Sequence, residues 1–444
     1  MRILYRLYRL AGWLWYRAQR RFTRTGLAVL GALVVVGVTG VDPELSASYQ
    51  AFSLLLCLVL VAVSLNWSFR AHFSATRLLP PFGTAGAPFS YRVVVRNLTA
   101  ETQSGLTLLE NLADPRPSFQ EWRDAHLAEE KRVRSFRFSR TGTTNPFKVA
   151  TVKDAAVPPA PPGQETEVRV ELTPLRRGVL RFNGVSLARP DPLGLLRALV
   201  TVPLPQRALI LPRRYPLPPI ALPGTLKYQE GGVALAASVG QSEEFVALRD
   251  YRHGDPMRHI HWRSWARVGK PVVKEFEDEF FVRHALVLDT FTDHQHSGVF
   301  EEAVSVAASF VCTIQTQESL LDLLFVGPQS YCFTAGRGLA HAEQMLEILA
   351  SVRACCDQPF RALEHLVLNH VSALSGCICV FVAWDDDRRT FVEKLRTLGV
   401  PVLALVIAQP GRQKSLDPGP LRDAPDSFHV LEVGQIEQGL AKLK

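Results

Sequence analysis

The chain has 444 residues, 47% of them hydrophobic and 21% charged, which is long for one domain and far too apolar for a disordered chain. Its formal net charge is +8, but seven arginines and no acidic residue stand in the first 25 positions, so the rest is almost balanced. Composition therefore argues against a protein drawn to nucleic acid by a global positive field, and assigns the excess charge to one end.

That end is patterned. In residues 1–20, Ile3, Leu4, Leu7, Leu10, Ala11 and Leu14 share one helical face, and Arg2, Arg6, Arg9, Arg17 and Arg20 share another. Tyr5, Tyr8, Trp13, Trp15 and Tyr16 suit the interfacial zone of a bilayer. Residues 1–25 read as a basic amphipathic helix on the cytoplasmic leaflet. A helical extension of the next apolar segment is the alternative.

Two uncharged apolar runs follow, 25–41 and 46–69, joined by DPEL. The second exceeds the ~20 residues that a spanning helix needs, and the first sits at the short limit. Residues 26–69 are expected to form a two-helix transmembrane hairpin. Seven arginines before it, with Arg70 and Arg77 after it, place both termini in the cytoplasm. A cleaved signal peptide fits less well, because no A-x-A site follows promptly and a second apolar run comes next. Cys57, Cys312, Cys332, Cys355, Cys356, Cys377 and Cys379 form no CxxC pair and read as free, mostly buried thiols.

Residues 75–215 alternate with the period of strands. PFSYRVVVRN, SGLTLLEN, KRVRSFRFSR, TEVRVELTP, GVLRFNGVSLA and RALVTVPLPQRALILP are short runs punctuated by Gly and Pro. They imply an immunoglobulin-like β-sandwich, with the proline-rich 157–163 as a loop. The proline-rich RRYPLPPIALPG (213–224) leads out of that domain, and residues 216–242 read as a linker. Across 281–444 apolar strands alternate with helical spacings, which implies an α/β domain with a mostly parallel sheet. Ligands in such sheets bind beyond the strand C-termini, where Asp289 and Asp385 fall.

The densest stretch is GDPMRHIHWRSWAR, inside a segment spanning 243–280. Asp255 followed by Pro256 reads as a helix start and Gly269 as its stop, which predicts one helix from Pro256 to Val268. On it Arg258, Trp262 and Trp265 would be neighbours. PVVKEFEDEF then reads as a strand. His259 and His261 at i, i+2 on a helix point apart, which argues against a metal site. Glu275, Glu277, Asp278 and Glu279 follow the arginines and argue against bound phosphate. Arginine–tryptophan anchoring of a domain or partner interface remains.

Leu248, Arg249, Tyr251, Gly254, Asp255, Arg258, Ile260, Trp262, Ala266 and Arg267, followed by VVKEFE, resemble the signature of the bacterial domain-of-unknown-function-58 family. RPDPLGLLRA (189–198) resembles its DP-GL element, and GRGLAHAEQMLEILASV its later part. The resemblance implies a bacterial inner-membrane, multi-pass protein. It would carry a β-sandwich and a von Willebrand factor A-like domain and partner a MoxR-type AAA+ ATPase, with no established enzymatic activity. Arg249, Tyr251, Gly254, Asp255, Arg258, Trp262 and Arg267 are then the expected interaction motif.

Metal-binding von Willebrand-like domains carry Asp-x-Ser-x-Ser after the first strand. Here the stretch is Asp289, Thr290, Phe291, Thr292 and Asp293. Phe291 cannot ligate a hard cation, and His294 and His296 do not suit one. Asp289, Asp293 and Asp385 are therefore a degenerate metal site. No cofactor is expected, with Mg²⁺ as the alternative kept open. The leading expectation is a non-enzymatic interaction or assembly protein. The competing ones are a hydrolase or transferase using Asp255, His259 and His261, and a cation-dependent adhesion domain.

Overall fold

A computed structural model of the chain describes residues 1–39, 46–67, 71–113, 119, 122–123, 148–218, 227–228, 245–253, 257, 260–276, 280–292, 297–314, 319–336, 342–411 and 416–443. Two compact units divide it, Met1–Arg213 and Arg214–Lys444.

The first unit opens with three helices: α1 (Arg2–Arg21), α2 (Arg24–Thr39) and α3 (Ser46–Trp67). α3 contains a span, Ser48–Asn66, long and apolar enough to cross a membrane by length and composition. α2 is apolar but shorter, about 24 Å at 1.5 Å per residue. The two pack together, with Gly37 against the ring of Phe52. Val34, Val35, Val38, Leu54 and Leu60 stand uncovered on them. The DPEL link and Arg70 lie outside the described residues.

Two antiparallel-dominated sheets follow. One is ordered β1 (Phe73–Leu78), β3 (Phe89–Asn97), β7 (Glu165–Pro174), β5 (Ala150–Val152). The other is ordered β2 (Phe82–Thr84), β9 (Arg197–Leu211), β8 (Gly178–Pro190), β4 (Thr107–Leu112), β6 (Ala155–Ala156). Strict alternation on β3 and β7 turns Val93, Val95, Val168 and Val170 inward, where they meet Leu108, Leu180, Phe182 and Leu187 of the other sheet in one core. Residues 157–163 form a loop carrying one isolated bridge, Ala160 to Gln103. The run KRVRSFRFSR lies outside the described residues.

Arg77 corrects an expectation. Counted from sequence as a charge flanking the membrane, it is 2% exposed inside the sandwich. Its guanidinium joins the sheets, donating to the Glu110 carboxylate at 2.6 and 3.1 Å and to the carbonyls of Gly184 and Leu204, above the Phe182 ring. An arginine with these partners is fully satisfied in a low-dielectric core. Burial pushes the Glu110 carboxyl above its ordinary value, against the pull of Arg77.

The DP-GL element is the turn between β8 and β9. Asp191 Oδ1 accepts the N–H groups of Leu195 and Leu196 at 2.7 and 3.0 Å, and Gly194 takes φ +67°. This holds the Gly194 and Leu195 carbonyls toward the helices. Thr23 and Thr25 donate their hydroxyls to Gly194, and Thr23 N–H donates to Leu195. Leu195 and Leu196 pack with Ala62, Val29 and Leu58.

The second unit is built on a sheet ordered β15 (Ser330–Ala335), β14 (Ser319–Val326), β13 (Phe280–Leu288), β16 (Gly376–Phe381), β17 (Val402–Ala408), β18 (Phe428–Glu432), with β10 (Lys227–Tyr228) also on β13. β14, β13, β16, β17 and β18 run parallel; β15 and β10 pair antiparallel. Ala285 to Leu288 are all 0% exposed, as an apolar strand covered on both faces requires. Helices α7 (Arg361–Leu368) and α8 (Asp386–Thr397) cover the face of Ala285, Val287, Cys377 and Cys379. Helix α5 (Gly298–Thr313) contacts β13, β16 and β17. Tyr215 ties the start of this unit to α5, its N–H on Ser309 Oγ and its hydroxyl on Glu302.

Helix α6 (Ala342–Ser351) falls within the stretch GRGLAHAEQMLEILASV, and α7 ends at Leu368, before a short 3₁₀ turn at Val371–Ala373. The His370 ring nitrogen on the Leu366 carbonyl marks the break. Strand β18 and the last helix, α9 (Ile436–Leu440), carry no sequence signal strong enough to announce them. All seven cysteines are free; Cys355, Cys377 and Cys379 are buried, Cys332 is half-buried, Cys57 stands on the apolar helix α3, and Cys312 and Cys356 are exposed although most thiols were expected to be buried.

Candidate functional site

Two places in the second unit hold the residues that the sequence singles out. The first is the carboxyl end of β13 and β16, where the strand order reverses and ligands of such sheets lie. Asp289 follows the last residue of β13, and its N–H continues the ladder to the Val380 carbonyl. The side chain is 0% exposed. Its Oδ1 accepts Phe291 N–H at 3.0 Å and its Oδ2 accepts Val382 N–H at 3.3 Å.

Sequence reasoning did not anticipate the remaining partner. Arg388, on the first turn of α8, donates Nε to Asp289 Oδ2 at 3.0 Å and Nη2 to Oδ1 at 3.3 Å. Its Nη1 reaches Asp385, which caps the same helix by accepting the Arg388 backbone N–H at 3.1 Å. The guanidinium lies 4.4 Å from the Phe360 ring centroid, and Arg388 is only 6% exposed. One cation thus holds two of the three carboxylates of the degenerate metal site. The third, Asp293, lies outside the described residues.

The neighbouring side chains turn elsewhere. Phe291 packs edge-on against Phe360, and the Thr290 hydroxyl donates to the Val326 carbonyl. Burial raises the Asp289 carboxyl above its ordinary value, opposed by Arg388 and the two backbone donors. Desolvation draws Arg388 down, but Asp289 and then Asp385 outweigh it and leave it raised and charged. A signal for Arg388 was present in the sequence: an arginine three residues past an Asp N-cap, after a buried strand.

The second place is the signature segment. β11 (Phe245–Asp250) and β12 (Val272–Phe276) form an antiparallel ribbon, with Arg249 opposite Val273. Tyr251 N–H donates to the Pro271 carbonyl at 3.0 Å. The predicted helix from Pro256 is shorter than expected: α4 covers Trp262–Val268. Ile260 bridges to Val273 and His261 N–H donates to Val272, so these two residues pair with the ribbon and are not helical. Gly269 ends the helix in the left-handed region at φ 74°, as its position foretold.

Gly254, Asp255, Pro256, Arg258 and His259 lie outside the described residues. Of the expected motif, Arg249 and Tyr251 therefore stand at the end of β11, and Trp262 and Arg267 on α4. His261 Nδ1 lies 2.6 Å from Ser264 Oγ. Trp262 and Trp265 stack at 5.2 Å with rings 17° apart. Leu248, Met257, Trp262 and Val268 are exposed, Trp262 by 64%, as are Arg263 and Arg267. Among the described residues, no group of three or more His, Cys, Asp or Glu side chains is placed to hold a metal ion.

A chain of N-terminal helices, β-sheets and a mostly parallel α/β sheet with a ribbon-borne arginine–tryptophan motif is the class these features define. Residues 247–404 match the model of the family described as "Protein of unknown function DUF58". A relative, the uncharacterized protein YeaD of Bacillus subtilis (strain 168), is 29% identical over 191 residues, 42% of this chain and 45% of that protein. The chain thus matches less than half the length of that relative. Among solved structures, a cohesin module of a Clostridium perfringens family 33 glycoside hydrolase aligns at 11% identity and TM-score 0.15, over 32% of this chain and 98% of that one. The secreted serine protease VesC of Vibrio cholerae aligns at 9% identity and TM-score 0.16, over 36% and 29%. Scores this low carry no argument about the fold.

Proposed function

We propose that this chain is a membrane-anchored, non-enzymatic interaction protein that docks a MoxR-type AAA+ ATPase through the β11–α4–β12 unit. The observation that carries the reading is the exposure of Leu248, Met257, Trp262 and Val268 on that one small unit, beside Arg263 and Arg267. Large uncovered apolar side chains next to arginine are the composition of interface anchors, and folding gives no reason to leave them in water. The nature of the partner comes from the resemblance set out above.

In this reading α2 and α3 are a transmembrane hairpin of the bacterial inner membrane with both ends cytoplasmic. The sandwich is immunoglobulin-like and the parallel domain von Willebrand factor A-like. The strand order with one antiparallel edge supports the latter. In this reading the domain works without a divalent cation, because the Arg388 guanidinium is already the ion-pair partner of both Asp289 and Asp385.

The test is recovery of a purified MoxR-type ATPase on nanodisc-embedded wild type against Trp262→Ala with Arg267→Ala. Both positions are exposed, so the variant should keep its melting temperature within the equivalent of about 0.5 kcal/mol. It should lose roughly ten-fold or more in affinity, as anchors of this type do. Equal affinity would move the docking surface elsewhere. A hydrolase built on Asp255, His259 and His261 is the competing reading, favoured by the His261–Ser264 contact. Turnover of an acyl or phosphoryl ester that disappears in His261→Ala would establish it instead.

A further inference from the structure

Helix α1 is separate from α2. It ends at Arg21, Phe22 takes an extended conformation (φ −94°, ψ 140°) and bridges to Leu196, and α2 starts at Arg24. The bonds of Thr23 and Thr25 to Gly194 and Leu195 fix that break. A Cβ on Gly26 would lie 1.9 Å from the Leu195 carbonyl oxygen, so helix and turn are in close contact there. α1 is therefore not a prolongation of the apolar helix, which was the alternative left open by its sequence.

Three faces run along α1. One is committed to protein: Tyr5 and Tyr8 pack on Trp122, and Arg20 donates to the Glu110 carbonyl and the Asn111 side chain. The second is apolar and uncovered, with Ile3 76%, Leu7 57%, Leu10 55% and Leu14 52% exposed. The third is basic. Arg2, Arg6 and Arg9 line an open groove of about 640 Å³ together with Tyr5 and Trp13. Arg9 lies over Tyr5 and Arg17 over Trp13.

We propose that α1 binds the surface of an anionic phospholipid bilayer, its apolar stripe at the acyl boundary and its arginine groove around headgroup phosphates. The inference rests on the membrane-anchored reading of α2 and α3. What covers the apolar stripe is given by continuity and charge. α1 is joined through Phe22–Thr23 to helices whose own apolar surface is uncovered. Its exposed cations, with no acid among residues 1–25, match anionic headgroups. Arginine over tyrosine and tryptophan is an arrangement that holds guanidinium groups at the level of the headgroups.

The experiment is hydrogen exchange of the full chain in nanodiscs of phosphatidylcholine and in nanodiscs containing phosphatidylglycerol. Residues 2–21 should exchange roughly ten-fold more slowly in the anionic discs, the scale expected when two or more arginines meet an anionic surface. Arg6→Gln with Arg9→Gln and Arg17→Gln, all exposed, should abolish the difference. Equal exchange of 2–21 in both lipids, or a difference that survives the triple substitution, overturns this proposal alone, provided 48–66 is protected in both. Free exchange at 48–66 overturns the membrane anchor and this proposal together.

Discussion

Replacing Arg388 by alanine tests whether its guanidinium is what permits a fully buried Asp289. The wild-type carboxylate receives two backbone N–H bonds and two guanidinium bonds. The substitution deletes both guanidinium bonds, frees Asp385 from its ion pair and removes the cation above Phe360. Breaking one side of a buried pair costs about 3–5 kcal/mol. In a unit of this size each kcal/mol moves the melting temperature by ~2–4 °C, so Arg214–Lys444 should melt roughly 6–20 °C lower. Calorimetry of the nanodisc-embedded protein reads this directly.

The pH dependence has a definite sign. Asp289 already sits above its ordinary value through burial, with Arg388 pulling it down. Without Arg388 it rises further. A carboxyl that protonates more readily folded than unfolded makes the protein gain stability as pH falls from the folded value toward the unfolded one. The variant's deficit should therefore be largest at neutral pH and shrink on acidification. Adding Asp289→Asn removes the stranded charge and should recover most of the loss. A single variant that melts within about 2 °C of wild type, less than 1 kcal/mol by the same scale, would refute the reasoning. So would a deficit that grows with acid.

Three further outcomes are expected. Arg77→Met leaves Glu110 buried and unpaired between the sheets and should lower the stability of the first unit by about 3–5 kcal/mol in denaturant unfolding; Glu110→Gln added to it should return much of that. Gly26→Ala drives a Cβ into the Leu195 carbonyl while Gly31→Ala meets nothing within 4 Å, so the first should destabilise by about 1–3 kcal/mol and the second should be neutral or better in the same melt. Millimolar Mg²⁺ or a chelator should leave the wild-type melting temperature unchanged; a saturable rise with Mg²⁺ would revive the cation-dependent adhesion reading.

What the sequence determined by itself was whatever depends on local period and local chemistry. The apolar length of 46–69, the alternation along Phe89–Asn97, the unbroken apolar run of Gly376–Phe381 and the left-handed stop at Gly269 follow from residues near one another in the chain. The signature arginines and tryptophans could be recognised as a motif for the same reason. The start of α4 could not, because Asp255-Pro256 favours a helix locally while Val272 and Val273, well downstream, recruit Ile260 and His261 into ribbon pairing. Arg77 makes the same point for charge: nothing beside it in sequence separates a headgroup partner from a buried one, and Glu110 on the facing sheet decides. So too at the carboxyl ends of β13 and β16, where Asp289 and Arg388 are 99 positions apart and only the closing of the parallel sheet puts the guanidinium on a fully buried carboxylate.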